Sequence, residues 1–257
     1  MEKINFKKGM STGLIIGLVV LVLIVIGIFI FAGNDDSLDD ENVGDDSDTP
    51  ADVGGAGTYR VTIENLTEGQ PLSPGVIVTH SSGVDLWGEG VAASAGIKAI
   101  AEDGNPAVAS AALSGLSGVT SVVTIDAPTH RIGGPDASTQ SFMIDAEDGD
   151  MLSLAVMLIC TNDGFTGVSS MSLPVTSVVQ TALAYDAGTE DNDELYTSIV
   201  DACGAAGPVA HAEDGNGGTA TVGGSVASHP GIQGSGDLTT SDHGWSGAVA
   251  RITVEKI

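Results

Sequence analysis

The sequence predicts an all-β domain, an antiparallel β-sandwich with a few short helices, carried behind one transmembrane helix. Three observations lead there. Apolar residues alternate with polar ones at both ends of the domain: Tyr59, Val61 and Ile63 against Arg60, Thr62 and Glu64, and Ala248, Ala250, Ile252 and Val254 on one face of the last strand. That period of two marks half-buried strands. Between the ends, short apolar runs are separated by turn signals such as Asp103-Gly104, Gly133-Gly134-Pro135 and Asp148-Gly149. Many short strands with few helices indicate a sandwich. The third observation is the uncharged run Gly13–Ala32 ahead of it all.

Taken in order, residues 1–12 form a basic tail with Lys3, Lys7 and Lys8, and residues 13–32 form the apolar run. At about 1.5 Å per residue the run spans roughly 30 Å, the thickness of a bilayer core. Lysines before it and Asp35, Asp36, Asp39 and Asp40 after it place the N-terminus in the cytoplasm and the rest outside. A retained signal-anchor fits the length of the run, and a secreted product would follow if it were cleaved. Lys7-Lys8-Gly9 before an apolar segment also resembles the processing site of archaeal pilin-like precursors, with cleavage after Gly9. Residues 33–57 are acidic and poor in large apolar groups, so they read as a disordered, self-repelling stalk.

Residues 58–257 make the folded domain. Strands are predicted at Thr58–Glu64, Val76–Thr79, Thr120–Ile125, Ser141–Ile144, Leu152–Ile159, Val175–Leu183 and Ala248–Val254. Alanine-rich Ala92–Glu102 and Pro106–Leu113 are predicted as short helices, and Thr189–Val200 as a third with acids in its first turn. Glycine-rich 204–237 reads as a long loop. Ala-Glu-Asp-Gly recurs at 101–104, 146–149 and 212–215, but the flanks differ, so these are three independent acidic turns.

With 34 acids against 8 bases the net charge is −26. Such a surface excludes nucleic-acid binding, which needs clustered Lys and Arg, and disfavours docking on anionic lipid. It favours solubility in salt and the binding of cations. The two cysteines, Cys160 and Cys203, admit either a disulfide in an oxidising compartment or two separate buried thiols. The five histidines (His80, His130, His211, His229, His243) show no metalloenzyme spacing. Gly244-Trp245-Ser246-Gly247-Ala248 falls one residue short of a nucleophile elbow and precedes a strand instead of following one. The chain is therefore not expected to be an enzyme. Asn65-Leu66-Thr67 is a glycosylation sequon on the outer side of the membrane.

Six blocks in order carry a family resemblance: YRVTIENLTEGQPLSPGVIVTH (59–80), LWGEGVAASAGIKAIAEDGNPA (86–107), LSLAVMLICTNDGFTGV (152–168), AYDAGTEDNDEL (184–195), His229-Pro230-Gly231-Ile232 and WSGAVARITVEKI (245–257). Residues 58–257 resemble the spondin N-terminal domain, which occurs in extracellular matrix proteins and as stand-alone prokaryotic domains. The resemblance implies a sandwich related to C2 domains with a calcium ion among loops at one end. Its ligands carry over to Asp163 and Asp186, with the backbone carbonyl of Ala182 beside them. The chemistry of the residues agrees, since both aspartates sit at the ends of apolar strands and calcium takes six to eight oxygens in loose geometry. Asx turn capping is the competing role for both. Glu190, Asp191 and Asn192 lie close enough in sequence to add ligands or to solvate the rim. The glycine-rich insert before His229 and the two-cysteine pattern depart from the animal members, so their matrix and integrin recognition does not transfer. The expected function is a membrane-anchored adhesion or binding module for an extracellular protein or polysaccharide. The alternative is an envelope or pilus-associated subunit assembled through its N-terminal helix.

Overall fold

The computed structural model describes residues 53–125, 137–211 and 217–257. The basic tail, the apolar run and nearly all of the stalk lie outside the described residues, as does the Ala-Glu-Asp-Gly turn at 212–215. No helix among the described residues is long and apolar enough to cross a membrane.

In chain order the elements are β1 (Gly57–Asn65), β2 (Leu72–His80), α1 (Ala95–Asp103), α2 (Ala107–Leu113), β3 (Val119–Ile125), β4 (Thr139–Ala146), β5 (Met151–Leu158), β6 (Gly164–Ser172), β7 (Ser177–Ala182), β8 (Ala184–Asp186), α3 (Ala202–Ala206), β9 (Ala227–Ser228), α4 (Thr240–His243) and β10 (Ala250–Lys256). They build two antiparallel sheets, one of order β4-β1-β10-β7 and one of order β3-β2-β5-β6-β8-β9. First and last strands pair directly, from Tyr59 opposite Lys256 to Asn65 opposite Ala250.

The main core lies between the sheets. Tyr59, Val61, Ile63, Ile252 and Val254 from the smaller sheet meet Leu72, Ile77, Leu152, Leu154, Val156 and Leu158 from the larger. A second core lies on the far face of the larger sheet, where Val76, Val78, Ala155 and Phe165 pack under Ile97, Ile100, Ala109 and Leu113 of α1 and α2. Trp87 closes it, edge-on to Phe165 at 5.2 Å between ring centres and with its indole N–H on Leu154 O at 3.2 Å. Burial on both faces explains why β5, and Val76–Val78 within the fully buried β2, read as apolar runs whereas β1 and β10 alternate.

Two of the acidic turns do separate jobs. At 101–104 the turn ends α1, with Gly104 left-handed at φ 61° and its N–H bonded back into the helix. At 146–149 it joins β4 to β5, with Asp150 Oδ2 accepting from Glu147 N–H at 2.8 Å. Strand β6 has no counterpart among the predicted strands and sits inside the larger sheet. Two expectations are corrected. The predicted helix Thr189–Val200 is irregular: Asp191 and Glu194 accept from Thr221, Gln233 and Ser235 of a later segment, and Glu194 takes a left-handed φ of 58° that breaks a helix. The stretch 204–237 is not all loop, since α3 runs into it and β9 lies within it.

Candidate metal centre

Asp163 closes the turn between β5 and β6, and Asp186 ends β8. The ladder between β6 and β8 sets Gly164 opposite Asp186, so the two aspartates from separate strands arrive side by side. The Asp163 carbonyl accepts from Ala187 N–H at 3.1 Å, which fixes the turn against the strand end.

The two oxygens of Asp163 differ sharply. Oδ2 accepts from the Thr189 amide at 2.6 Å, the Thr189 hydroxyl at 3.1 Å and the Glu190 amide at 3.0 Å. Oδ1 is buried with no hydrogen-bond partner. Asp163 is fully enclosed, and burial first, then the Asp186 carboxylate, push its carboxyl above the usual range against those hydrogen bonds. Asp186 is half-buried. Its Oδ1 accepts from Gly188 N–H at 2.7 Å, an Asx turn, and its Oδ2 from the Asn192 amide at 2.5 Å. Turn capping and a free oxygen thus coexist in the pair, the free one on Asp163.

Glu190 follows in the next loop. Burial, then the charges of Glu102 and Asp163, outweigh Lys98 and push its carboxyl up to about 7. Asp191 accepts from the Thr221 hydroxyl at 2.8 Å. Ala182 ends β7 in the other sheet, and its carbonyl accepts from Val249 N–H at 2.9 Å. Among the described residues no three carboxylates bring oxygens within 4.8 Å of one another; the grouping that meets that spacing is Cys160, Cys203 and His243. Both sulfurs there are joined in a disulfide, so that set offers a metal no thiolate.

Cys160, just after β5, is bonded to Cys203 in α3 and packs with Ile159, Ile199, Ile232 and Leu238 in a third small core. Residues 68–203 match the profile of the Spondin_N family. The chain belongs to the Spondin_N family. The matched segment holds Asp163, Ala182, Asp186, Glu190 and both cysteines, while β1 and β10 complete the sandwich outside it. Spondin_N is a non-catalytic domain family, and its disulfide fits an extracytoplasmic, oxidising compartment. No curated protein matches the chain.

The remaining singled-out residues hold loops of this Spondin_N domain. His80 bonds Ser153 Oγ at 2.7 Å and Ser81 O at 2.9 Å. His229 Nδ1 accepts from Gly231 N–H at 3.0 Å. Asn65, the sequon residue, is buried, with its Nδ2 on Gln70 O at 2.8 Å and its Oδ1 taking the Thr67 amide and hydroxyl. Attaching a glycan to that nitrogen requires the turn to open. Sequence reasoning passed over Gln70, which ties three segments together by donating to Cys160 O and His243 O and accepting from Cys160 N–H. A single buried glutamine in the connection between β1 and β2 gives no periodic signal. Glu194, buried and bonded to Gln233 and Ser235, gave no local signal either.

Proposed function

We propose that the chain is a membrane-anchored, extracytoplasmic binding or adhesion module whose loops are ordered by calcium at Asp163 and Asp186. The observation that carries this reading is Asp163 Oδ1, a fully buried carboxylate oxygen with no donor, beside a second carboxylate. A buried, unsatisfied anion is costly, and a hard divalent cation is the group that offsets it most directly. Asp163 supplies the free oxygen and Asp186 the second charge. Backbone carbonyls, with Ala182 carried over from the family resemblance, would fill the rest of the shell. Bound calcium supplies charge neutralisation and holds three segments, the β5–β6 turn, the end of β8 and Ala187–Asn192, in one arrangement. The same segments would then present a fixed surface to an extracellular protein or polysaccharide.

Attachment to the membrane rests on the apolar run 13–32 and its flanking charges. Extracytoplasmic placement is supported by the Cys160–Cys203 disulfide.

Calorimetric titration of the purified full-length chain tests the site. One calcium per chain is expected, with a Kd on the order of 10⁻⁴–10⁻³ M as in extracellular modules, and no measurable binding in Asp163→Asn. Wild-type affinity retained in Asp163→Asn would remove the site from these residues.

A further inference from the structure

Away from the candidate metal centre, a cavity of about 370 Å³ opens between the C-terminal end of α1, the start of β2, the end of β5 and α3. Pro74, Met157 and Ile159, all buried, make its apolar floor. The Ser73 hydroxyl beside them is spent, donating to Pro74 O at 2.5 Å and accepting from Met157 N–H at 2.9 Å. A water on that floor would find few partners.

Val200, Ala202 and Ala205 wall the cavity on the α3 side, and each of the two helices adds an exposed acid to it: Asp103, the last residue of α1, and Asp201, the N-cap of α3. The end of a helix that α1 turns towards the cavity carries partial negative charge and favours cations. Yet α1 ends on Glu102-Asp103 with no basic residue in its last turn. Lys98 is engaged with Glu102 at 2.6 Å. Negative charge is thus gathered where a helix least tolerates it, beside an apolar hollow, and local rules of this kind are broken chiefly at functional sites.

An apolar bed with acids at its rim selects a ligand of both characters. A bare metal ion wants oxygens on all sides, which this floor does not supply. A neutral apolar group would leave the acids unanswered. A long basic side chain meets both demands, with its methylenes on Pro74, Met157 and Ile159 and its charged head at Asp103 and Asp201. The volume lies in the range of ligand pockets, about 300–1,000 Å³, and the flexible Met157 thioether can adapt to what enters. We propose that this cavity is a docking site for a lysine or arginine side chain of a basic partner protein. The chain's net charge of −26 draws such a partner in from a distance, and the cavity fixes where it docks. None of the residues lining the cavity belongs to the candidate metal centre, so this site and the calcium reading stand or fall separately.

Methyl NMR of the full-length chain tests this, with Met157, Ile159, Val200 and Ala202 as reporters. The probes are acetyl-Gly-Lys-Gly-amide, acetyl-Gly-Arg-Gly-amide and a norleucine counterpart that keeps the apolar stem and lacks the charge. At least one basic peptide should shift these methyls saturably, and the norleucine peptide should bind about fivefold or more weakly. Asp103→Asn combined with Asp201→Asn should weaken the basic peptide by about the same factor and leave the urea unfolding midpoint nearly unchanged. Ala205→Phe, at an exposed position of the wall, should abolish the shifts. No saturable shift with either basic peptide, or equal binding of the norleucine peptide, overturns the proposal. Shifts that survive Ala205→Phe would show plain attraction to an acidic surface and overturn it too. Tighter binding of n-pentylamine than of either peptide would assign the cavity to a small amine instead of a protein side chain.

Discussion

Glu190 and Glu194 lie four residues apart in one loop, both carboxyls are nearly enclosed, and the fold treats them in opposite ways. Glu194 Oε1 accepts from Gln233 N–H at 2.5 Å, and its Oε2 from the Ser235 amide at 2.7 Å and hydroxyl at 3.0 Å. Burial pushes the Glu194 carboxyl up, but these bonds outweigh it and hold the group below its ordinary range. Its carbonyl also accepts from Asp237 N–H at 2.8 Å. Glu190 has the opposite balance, an orphan oxygen and a carboxyl raised to about 7. A buried carboxylate surrounded by donors is a permanent clamp, and one short of donors is a place for an added charge. The Cys160–Cys203 bond lies on the permanent side.

The largest expected effect breaks the permanent side. Replacing both cysteines by alanine opens a loop with a separation of 43 residues, which should cost about 4 kcal/mol of stability. Urea unfolding should show the same loss in EDTA and in calcium. A loss confined to calcium-loaded protein would place the disulfide with the conditional region instead.

The paired substitutions Glu194→Gln and Glu190→Gln sharpen the contrast directly. Glu194→Gln sets an amide NH₂ against donors and should cost about 2–3 kcal/mol whatever the calcium level. Glu190→Gln removes an unanswered charge, so in EDTA its unfolding midpoint should match or exceed that of the wild type. Equal losses from both, measured by urea unfolding in EDTA, would show that the two acids play one role.

The smallest effect concerns the pH background on which these comparisons are read. His243 is buried, and burial lowers its folded-state pKa below the ordinary 6.5 against the Thr239 hydrogen bond and the Asp242 charge. The folded state thus favours the neutral ring. The stability this gives is present above about 6.5 and is lost as pH falls, because the unfolded chain takes up the proton first. His243→Asn keeps an acceptor for Thr239 N–H, now bonded to Nδ1 at 3.1 Å, and does not titrate. Its melting temperature should fall less than that of the wild type between pH 7 and pH 5. Parallel curves would remove His243 from the acid response.

Much of the sandwich was legible because the physics is local. The alternation in β1 and β10 is a direct image of one buried face, and Gly104 ends α1 where a left-handed residue is needed. What escaped was decided elsewhere in the chain. Strand β6, Gly164-Phe-Thr-Gly-Val-Ser-Ser-Met-Ser, has two glycines and three serines and no alternation. It is a strand because β5 and β8 flank it. The run Thr189–Val200 carries acids at its start as a helix does, yet Asp191 and Glu194 answer donors at Thr221, Gln233 and Ser235 that no local pattern reveals. Asp163 and Asp186 could be pointed to from their places at strand ends and from the family resemblance. The orphan oxygens could not, because each depends on segments more than twenty residues apart. The disulfide was open in the sequence, since nothing local to Cys160 or Cys203 tells a bonded pair from two separate buried thiols.

The most direct test of the central claim is thermal unfolding of the full-length chain in EDTA and in millimolar calcium, for wild type and Asp163→Asn. Calcium should raise the wild-type midpoint by an amount that grows with its concentration, reaching about 2.7 kcal/mol at a hundred times Kd. Asp163→Asn should melt in EDTA at or above the wild-type temperature and gain nothing from calcium. A wild-type midpoint indifferent to calcium, or an equal drop for Asp163→Asn in both buffers, would reduce Asp163 to a turn residue and contradict the account.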